Sequence, residues 1–239
     1  MTNPIRRLPF SGTAGKSTCE VAAVPMTWEH VDFWHENVQP KIDGQYIKAN
    51  ELEFGADPRT EIRADVGWNW SIYFWLAKRW NTVRPHAGPE QRAVAWCLVA
   101  LDGQGMQLPI GMLTAVPAYA SPFPNDNAEL GFVWYLSDAP MEHYVHRKMP
   151  RVSSVAQALL DIAIQTRLEL INSAAIFLHA DPAGGTKLLK FYKDKCGMVC
   201  LQEDKRISLV RSVRAGQYFA LTHAQGEAFA GKFDPLRIL

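Results

Sequence analysis

Residues 151–156 read Arg-Val-Ser-Ser-Val-Ala, and residues 190–198 read Lys-Phe-Tyr-Lys-Asp-Lys-Cys-Gly-Met. The first motif begins an amphipathic helix that follows a strand, and the second lies on the next helix of the chain. Free backbone N–H groups and the positive end of the helix dipole meet at such a helix start, where Arg151 adds a cation. This combination predicts a phosphate site. Tyr192, after one further strand, can supply a phenolic proton near the bound group.

Strands and helices alternate around these two motifs. Ser154 followed by Gln157 predicts a capping box at the first helix, and Gly197 is placed to end the second helix. The predicted elements are a strand over 128–136, a connection over 137–150, a helix from Ser154 to about Leu170, a strand over 174–180 and a helix over 186–195. Two strands joined through a helix predict one parallel βαβ crossover, spanning residues 128–180.

Antiparallel strands and two earlier helices are predicted for the rest of the chain. These elements are a strand over 19–24, a helix over 28–38 with Thr27 as N-cap, a helix over 69–80, a hairpin of 93–101 with 108–116, a loop over 117–127, a hairpin of 198–202 with 207–213 and an edge strand over 218–221. The predicted fold class is α+β (α/β), with a mixed, mostly antiparallel central sheet and helices on both faces. We expect a flexible leader over 1–18, a single domain over 19–213 and a C-terminal extension over 214–239.

Composition excludes several classes of protein. The formal net charge is +1 and no long run of Lys or Arg occurs, so no nucleic acid is expected as a partner. No apolar run approaches the ~18 residues of a membrane span, and no secretory signal follows Arg6 and Arg7, so we expect a cytoplasmic protein without a membrane partner. The cysteines form no Cys-x-x-Cys pair, which predicts reduced thiols and no metal site: Cys19, Cys97, Cys196 and Cys200.

The two motifs resemble those of the GNAT (N-acetyltransferase) superfamily of acyltransferases. In that family a Gln/Arg-x-x-Gly-x-Gly/Ala loop precedes a helix, and residues 151–156 are similar to it with Ser154 at the central glycine. A later family signature is roughly Asn-x-x-Ala-x-x-Phe/Leu-Tyr followed by Gly-Phe. Here Gly185 and Leu188 replace the asparagine and alanine, and Met198 replaces the last phenylalanine. The resemblance covers residues 128–200 and, by strand order, residues 93–127.

This resemblance implies an acyl-CoA-dependent N-acyltransferase that moves an acetyl group from acetyl-CoA (coenzyme A as co-substrate, without a metal) to a primary amine. It implies that the pyrophosphate of the donor is bound by Arg151, Val152, Ser153, Ser154, Val155 and Ala156, and the pantetheine arm by the backbone of Trp134, Tyr135 and Leu136. Tyr192 takes the position of the general acid and Glu129 that of the base, with His179 and Asp181 as substitute bases. Arg147 and Lys148 either reach the 3′-phosphate or are solvated loop residues.

Two alternatives to an enzyme remain open at this point. Ser154 adds a Cβ and a hydroxyl where the family has glycine, which with Gly185 raises the possibility of an inactive protein that binds coenzyme A as a sensor or interaction module. The aromatic residues between 68 and 80 allow three interpretations: they border an acceptor pocket, they pack on the sheet, or they form a protein-binding surface. These residues are Trp68, Trp70, Tyr73, Trp75 and Trp80. The acceptor, whether a small-molecule or peptide amine, is open, and a homodimer is compatible with this fold.

Overall fold

The computed structural model describes residues 4–12, 17–52, 61–101, 107–121, 128–201 and 217–237 of the chain. These residues form one sheet whose strands follow the order β1-β2-β3-β4-β5-β6-β8-β7. The strands are β1 Arg7–Pro9, β2 Thr18–Pro25, β3 Val94–Leu101, β4 Gln107–Ala120, β5 Glu129–Asp138, β6 Ile176–His179, β7 Val199–Cys200 and β8 Tyr218–Leu221. β5 and β6 are parallel, and all the other neighbouring pairs are antiparallel. The predicted mixed sheet and its single parallel crossover are confirmed.

Helices cover both faces of this sheet. They are α1 Trp28–Asn37, α2 Gln39–Gln45, α3 Ala49–Leu52, α4 Trp70–Val83, α5 Met141–His146, α6 Val155–Ile171, α7 Gly185–Lys190 and α8 His223–Gly231, and a π-helical turn, Phe191–Lys195, continues α7. A Cβ on Gly111 of β4 would meet Val155 and Leu159 of α6, whereas Val116 of β4 packs with Ala77 of α4. Because alternate residues of a strand face opposite ways, α6 and α4 lie on opposite faces. None of the described helices combines the length and apolarity that crossing a bilayer requires.

β4 continues beyond its predicted end. The three prolines between residues 117 and 127 predict a loop, but the strand runs through Pro117 to Ala120. The register between β4 and β5 shifts between Val116 and Tyr119, so the residue that lacks an N–H group lies in an irregularity of the ladder. Residues 122–127 lie outside the described part of the chain.

The N-terminal segment is part of the sheet in its described portion, residues 4–12. β1 pairs with β2, with Arg7 opposite Glu20, and the side chains of Ile5 and Leu8 are buried in the main core. The prediction of a flexible leader over 1–18 is therefore wrong for these residues. Two buried apolar side chains stabilise a segment whose overall polarity had suggested a mobile tail.

The C-terminal residues also belong to the domain rather than to an extension. β8 is an internal strand between β6 and β7, not an edge strand, and its four residues are buried. Arg237 donates to Asp161 of α6 across 2.6 Å, a buried ion pair that holds the C-terminal residues against this helix. The predicted boundary at residue 213 is wrong for this reason. β7 pairs with β8, while the predicted partner strand over 207–213 lies outside the described residues.

Candidate functional site

A cavity of about 690 Å³ opens between the carboxyl ends of β5 and β6. β6 pairs with β5 only from Gly131 to Val133, whereas β4 pairs with β5 as far as Asp138. The two parallel strands therefore separate after Val133, and one edge of β5 faces the cavity instead of a strand. The opposite wall comes from the segment before α4 and from α7 with its π-helical turn. Ligands bind at this kind of position in sheets that contain parallel strands.

β5 contains a bulge beside the cavity. Ala115 of β4 lies opposite Val133, but the preceding residue, Thr114, lies opposite Tyr135, so Trp134 is an extra residue in β5. Bulges bend a strand and redirect its side chains. The three residues predicted to contact the pantetheine arm all line the cavity: Trp134, Tyr135 and Leu136.

The predicted phosphate-binding loop reaches the cavity with part of its residues. Arg151 and Ala156 line the cavity, and the Arg151 guanidinium lies 4.0 Å from the carboxylate of Asp138 at the end of β5. Val152 and Val155 are buried in the core, and Ser153 and Ser154 are not among the lining residues. The structure thus brings the start of α6 to the cavity, with Arg151 as its charged group.

Ser154 precedes α6 in the left-handed conformation, with φ of 61° and ψ of 20°. Its hydroxyl accepts no hydrogen bond from the first turn of the helix, so the predicted capping box is wrong. Gln157 instead donates to the carbonyl oxygen of Lys195 across 2.9 Å. The left-handed region favours glycine, because a Cβ is unfavourable there. Ser154 therefore adopts a backbone conformation that glycine would adopt with less strain.

The N-terminal segment pairs with this loop. The N–H group of Ser153 donates to the carbonyl oxygen of Pro9 across 2.9 Å, and the N–H group of Ser11 donates to the carbonyl oxygen of Arg151 across 2.8 Å. Phe10 and Val152 form the bridge between these two bonds. Backbone groups on one side of the loop are therefore bonded within the protein, and the sequence carried no signal for this pairing.

Tyr192 lines the cavity from the π-helical turn after α7, with its side chain 6% exposed. Burial raises the pKa of its phenol above the usual value, and the negative charges of Asp65 and Asp181 add to the effect. The hydroxyl therefore stays protonated at neutral pH, which is the form that a general acid requires.

The candidate bases lie in two different places, one outside the cavity and one in its lining. Glu129 lies exposed at the amino end of β5, where Gln91 donates to its carboxylate across 3.4 Å, and it does not line the cavity. β5 is ten residues long, and only its carboxyl half reaches the cavity, so the prediction of Glu129 as a base is not supported by its position. His179 and Asp181, at the carboxyl end of β6, do line the cavity. Asp181 accepts from the N–H group of Ala183 across 2.9 Å.

The two candidate contacts to the 3′-phosphate lie outside the cavity lining. Arg147 donates to the side chain of Asn37 across 3.1 Å, and its guanidinium lies 5.3 Å from the ring centroid of Phe33. Lys148 is exposed in the turn after α5.

The aromatic residues around α4 divide into three environments. Trp68 and Tyr73 line the cavity, and Tyr73 stacks on Tyr135 with ring centroids 3.7 Å apart. Trp70 is fully buried and Trp80 packs against Trp134, so both serve packing. Trp75 is 52% exposed on the outer face of α4. Trp70 and Trp80 thus fit the packing interpretation, while the acceptor-pocket and protein-binding interpretations stay predictions.

A buried ionic network forms part of the cavity wall, and the sequence analysis missed it. Arg63 donates to both carboxylate oxygens of Asp65, across 2.8 and 2.7 Å, and to the carboxylate of Asp138 across 3.1 Å. Ser137 donates to Asp65 from β5. The Arg63 charge holds the pKa of Asp65 below its usual value, against the opposing effect of burial. The network joins the segment before α4 to the end of β5.

Among the described residues, no group of His, Cys, Asp and Glu side chains could hold a metal ion. The cavity instead combines one edge of β5, the start of α6 with Arg151, a buried phenol and a set of aromatic rings. Such a lining fits a long, partly apolar ligand with an anionic end.

No protein-family model matches the chain, and no curated protein matches it. Solved structures similar to the chain include FdhC, AtaTR and KacTA. FdhC, a nucleotide-linked sugar GNAT, is 10% identical with a TM-score of 0.48, over 91% of this chain and 95% of that chain. AtaTR bound with acetyl-CoA is 12% identical with a TM-score of 0.39, over 87% and 96%. The KacTA–DNA complex is 14% identical with a TM-score of 0.41, over 74% and 95%. Each TM-score lies below 0.5, and these likenesses assign neither ligand nor activity to this chain.

Proposed function

We propose that this chain is an acyl-CoA-dependent N-acyltransferase of the GNAT type, with acetyl-CoA as donor and a primary amine as acceptor. One observation carries the proposal: a single cavity joins the carboxyl half of β5, the start of α6 and Tyr192. The resemblance assigns pantetheine binding, pyrophosphate binding and acid catalysis to these parts, which are far apart in the sequence. Their meeting in one cavity supports a donor site.

The donor fits the chemistry of this lining. The edge of β5 from Trp134 to Leu136 would bind the pantetheine amides, and the first turn of α6 with Arg151 would bind the pyrophosphate. Because the Ser154 hydroxyl accepts no bond from α6, the first-turn N–H groups have no side-chain cap competing with a phosphate.

In the proposed reaction the amine nitrogen forms a bond to the acyl carbon, the carbon–sulfur bond breaks, and the sulfur leaves with the electron pair. His179 or Asp181 would take the ammonium proton of the acceptor, since both line the same cavity as Tyr192. Backbone N–H groups around Tyr135 and Leu136 would donate to the carbonyl oxygen as its negative charge grows. Tyr192 would give its proton to the departing sulfur, and the second proton that the nitrogen loses as the neutral amide forms would restore the phenol.

One feature favours a second candidate function, a protein that binds coenzyme A without turnover. Ser153 donates its N–H group to Pro9 rather than toward the cavity, and Ser154 places a Cβ at the loop. Both reduce the room and the donors available to a pyrophosphate. A binding module would keep affinity for the donor and show no acyl transfer to any amine.

Titration calorimetry and thermal unfolding with acetyl-CoA test the donor site. Ligand at ~100 times its dissociation constant stabilises the folded state by about 2.7 kcal/mol, or roughly 5–10 °C for a domain of this size. Arg151→Glu should abolish most of that shift, whereas Arg147→Glu, outside the cavity lining, should retain it. ATP serves as the control for general binding of phosphates. Absence of binding by the unaltered chain would contradict both candidate functions.

A further inference from the structure

Three aromatic rings form a continuous apolar surface on one wall of the cavity. Trp68 meets both Tyr73 and Tyr135 edge-on, with each pair of ring centroids 5.4 Å apart, while the two tyrosines stack on each other. All three side chains are partly exposed and line the cavity. They come from three separate places, namely the segment before α4, α4 itself and β5. Such a surface binds flat apolar groups, and it also attracts a cation held over a ring face.

The charged groups of the lining are largely paired. Arg63 bonds to Asp65 and Asp138, and Arg151 lies 4.0 Å from Asp138, so two cations balance two carboxylates. At the rim, exposed Lys187 lies 3.8 Å from Glu61. Within the part of the lining that the structure describes, Asp181 is the carboxylate that has no cation beside it. Its contact is the N–H group of Ala183.

From this distribution we propose, resting on the proposed acyltransfer, that the acceptor is a monoamine carried on an aromatic or flat apolar body. The ammonium group is held at Asp181, next to His179, and the apolar body lies on the surface of Trp68, Tyr73 and Tyr135. A polyamine or a polycationic sugar brings several charges, which need several carboxylates once water is displaced. Asp65 and Asp138 cannot pair with these additional positive charges, because both carboxylates are bonded to Arg63.

Thiol release from acetyl-CoA, measured with a 2-arylethylamine and with spermidine, tests this assignment. We expect kcat/KM at least tenfold higher for the arylamine. Tyr73→Ala and the bulk-retaining Tyr73→Leu should both raise the KM for the arylamine, about tenfold for Ala and less for Leu, without changing the dissociation constant of acetyl-CoA. Trp75→Ala is the matched control, because Trp75 lies on the same helix with its ring exposed outside the cavity.

Each outcome separates this inference from the proposed function. If acetyl-CoA does not bind the unaltered chain, the acyltransferase itself is contradicted. If acetyl-CoA binds and spermidine is the better acceptor, or if Tyr73→Ala and Trp75→Ala have equal effects, the acceptor assignment alone is overturned. Thermal unfolding of each variant shows whether it is folded. If Tyr73→Ala does not fold, the same comparison is made with Tyr73→Leu.

Discussion

Pro9 and Ser153 are joined by two hydrogen bonds that converge on one carbonyl group. The N–H and the hydroxyl of Ser153 both donate to the carbonyl oxygen of Pro9, across 2.9 and 2.8 Å. Pro9 ends β1, and Ser153 precedes α6 by two residues. The first strand of the chain therefore fixes the loop that carries Arg151, 142 residues later in the sequence than Pro9.

Removing the hydroxyl should weaken this junction. Ser153→Ala leaves the backbone bond and deletes the side-chain bond, so we expect the free energy of unfolding to fall by about 1 kcal/mol, the usual net value of one hydrogen bond. Urea denaturation measures it. The control is Thr82→Ala, whose hydroxyl bonds only within α4 and is exposed, and which should change stability by less than about 0.5 kcal/mol. Equal midpoints for Ser153→Ala and the unaltered chain would show that the bond contributes nothing.

Replacing Ser154 by glycine should raise both the stability of the protein and its affinity for acetyl-CoA. With φ of 61°, its Cβ is unfavourable, and glycine should raise the free energy of unfolding by up to about 1 kcal/mol. The same change opens the backbone to a phosphate, so Ser154→Gly should also bind acetyl-CoA several-fold more tightly. Ser154→Ala retains the Cβ and should show neither gain. Calorimetry of the two variants measures their affinity for acetyl-CoA. Weaker binding by Ser154→Gly than by the unaltered chain would exclude phosphate binding at this turn.

The fold was largely predictable because its signals are local. The apolar runs of β3 and β5, the Thr27 cap of α1 and Gly197 after α7 each reflect a single stretch of sequence, and the structure has all of them. The wrong predictions depend on long-range contacts. β8 is internal because β7 pairs outside it, and β1 is ordered because Ile5 and Leu8 reach the core. The sequence of a short apolar strand does not indicate which strands lie beside it in the sheet.

Residues of the candidate site could be predicted where they belong to a sequence motif. They could not be predicted where only tertiary contacts bring them together. Arg151 and Tyr192 were located through the resemblance and reach the cavity. Ser154 was predicted to be a cap because Ser and Gln have the correct spacing, but that spacing does not reveal a left-handed backbone. Arg63 and Asp65 were missed because residues 41–66 have no clear periodicity, and their partner Asp138 lies far away in the sequence. An Arg-x-Asp pair beside glycines was the available signal.

Arg63 should be among the most sensitive positions of the chain. Arg63→Met leaves the buried carboxylate of Asp65 without its cation, and loss of one partner of a buried pair costs about 3–5 kcal/mol. Arg147→Met, which removes an exposed guanidinium, is the control and should cost less than about 1 kcal/mol. Urea denaturation at pH 7 gives both values. Equal losses for the two variants would contradict a stabilising role for the network.

The pH dependence of that variant has a definite sign. In the unaltered chain the pKa of Asp65 is lowered, so its contribution to stability is complete above its unfolded pKa of ~3.9 and is lost as pH falls through the lower folded value. Without Arg63, burial alone raises that pKa, and the penalty should shrink as pH decreases from 7 to 5. Adding Asp65→Asn should recover part of the loss at pH 7. A penalty that is the same at both pH values would show that Asp65 is not the group involved.

Tyr192→Phe isolates the proposed acid. Without the phenolic proton we expect kcat to fall about 10²-fold or more, while the dissociation constant of acetyl-CoA stays unchanged. Burial raises the pKa of Tyr192 above 10, so the unaltered enzyme should show no loss of kcat through tyrosine ionisation between pH 7 and 10. Tyr144→Phe is the matched control, because that hydroxyl is buried outside the cavity lining with no hydrogen-bond partner among the described residues. Steady-state kinetics across this pH range provide the measurement. Weaker donor binding with unchanged kcat would make Tyr192 part of the binding site, and an unaltered chain that binds acetyl-CoA without turnover would favour the non-catalytic function.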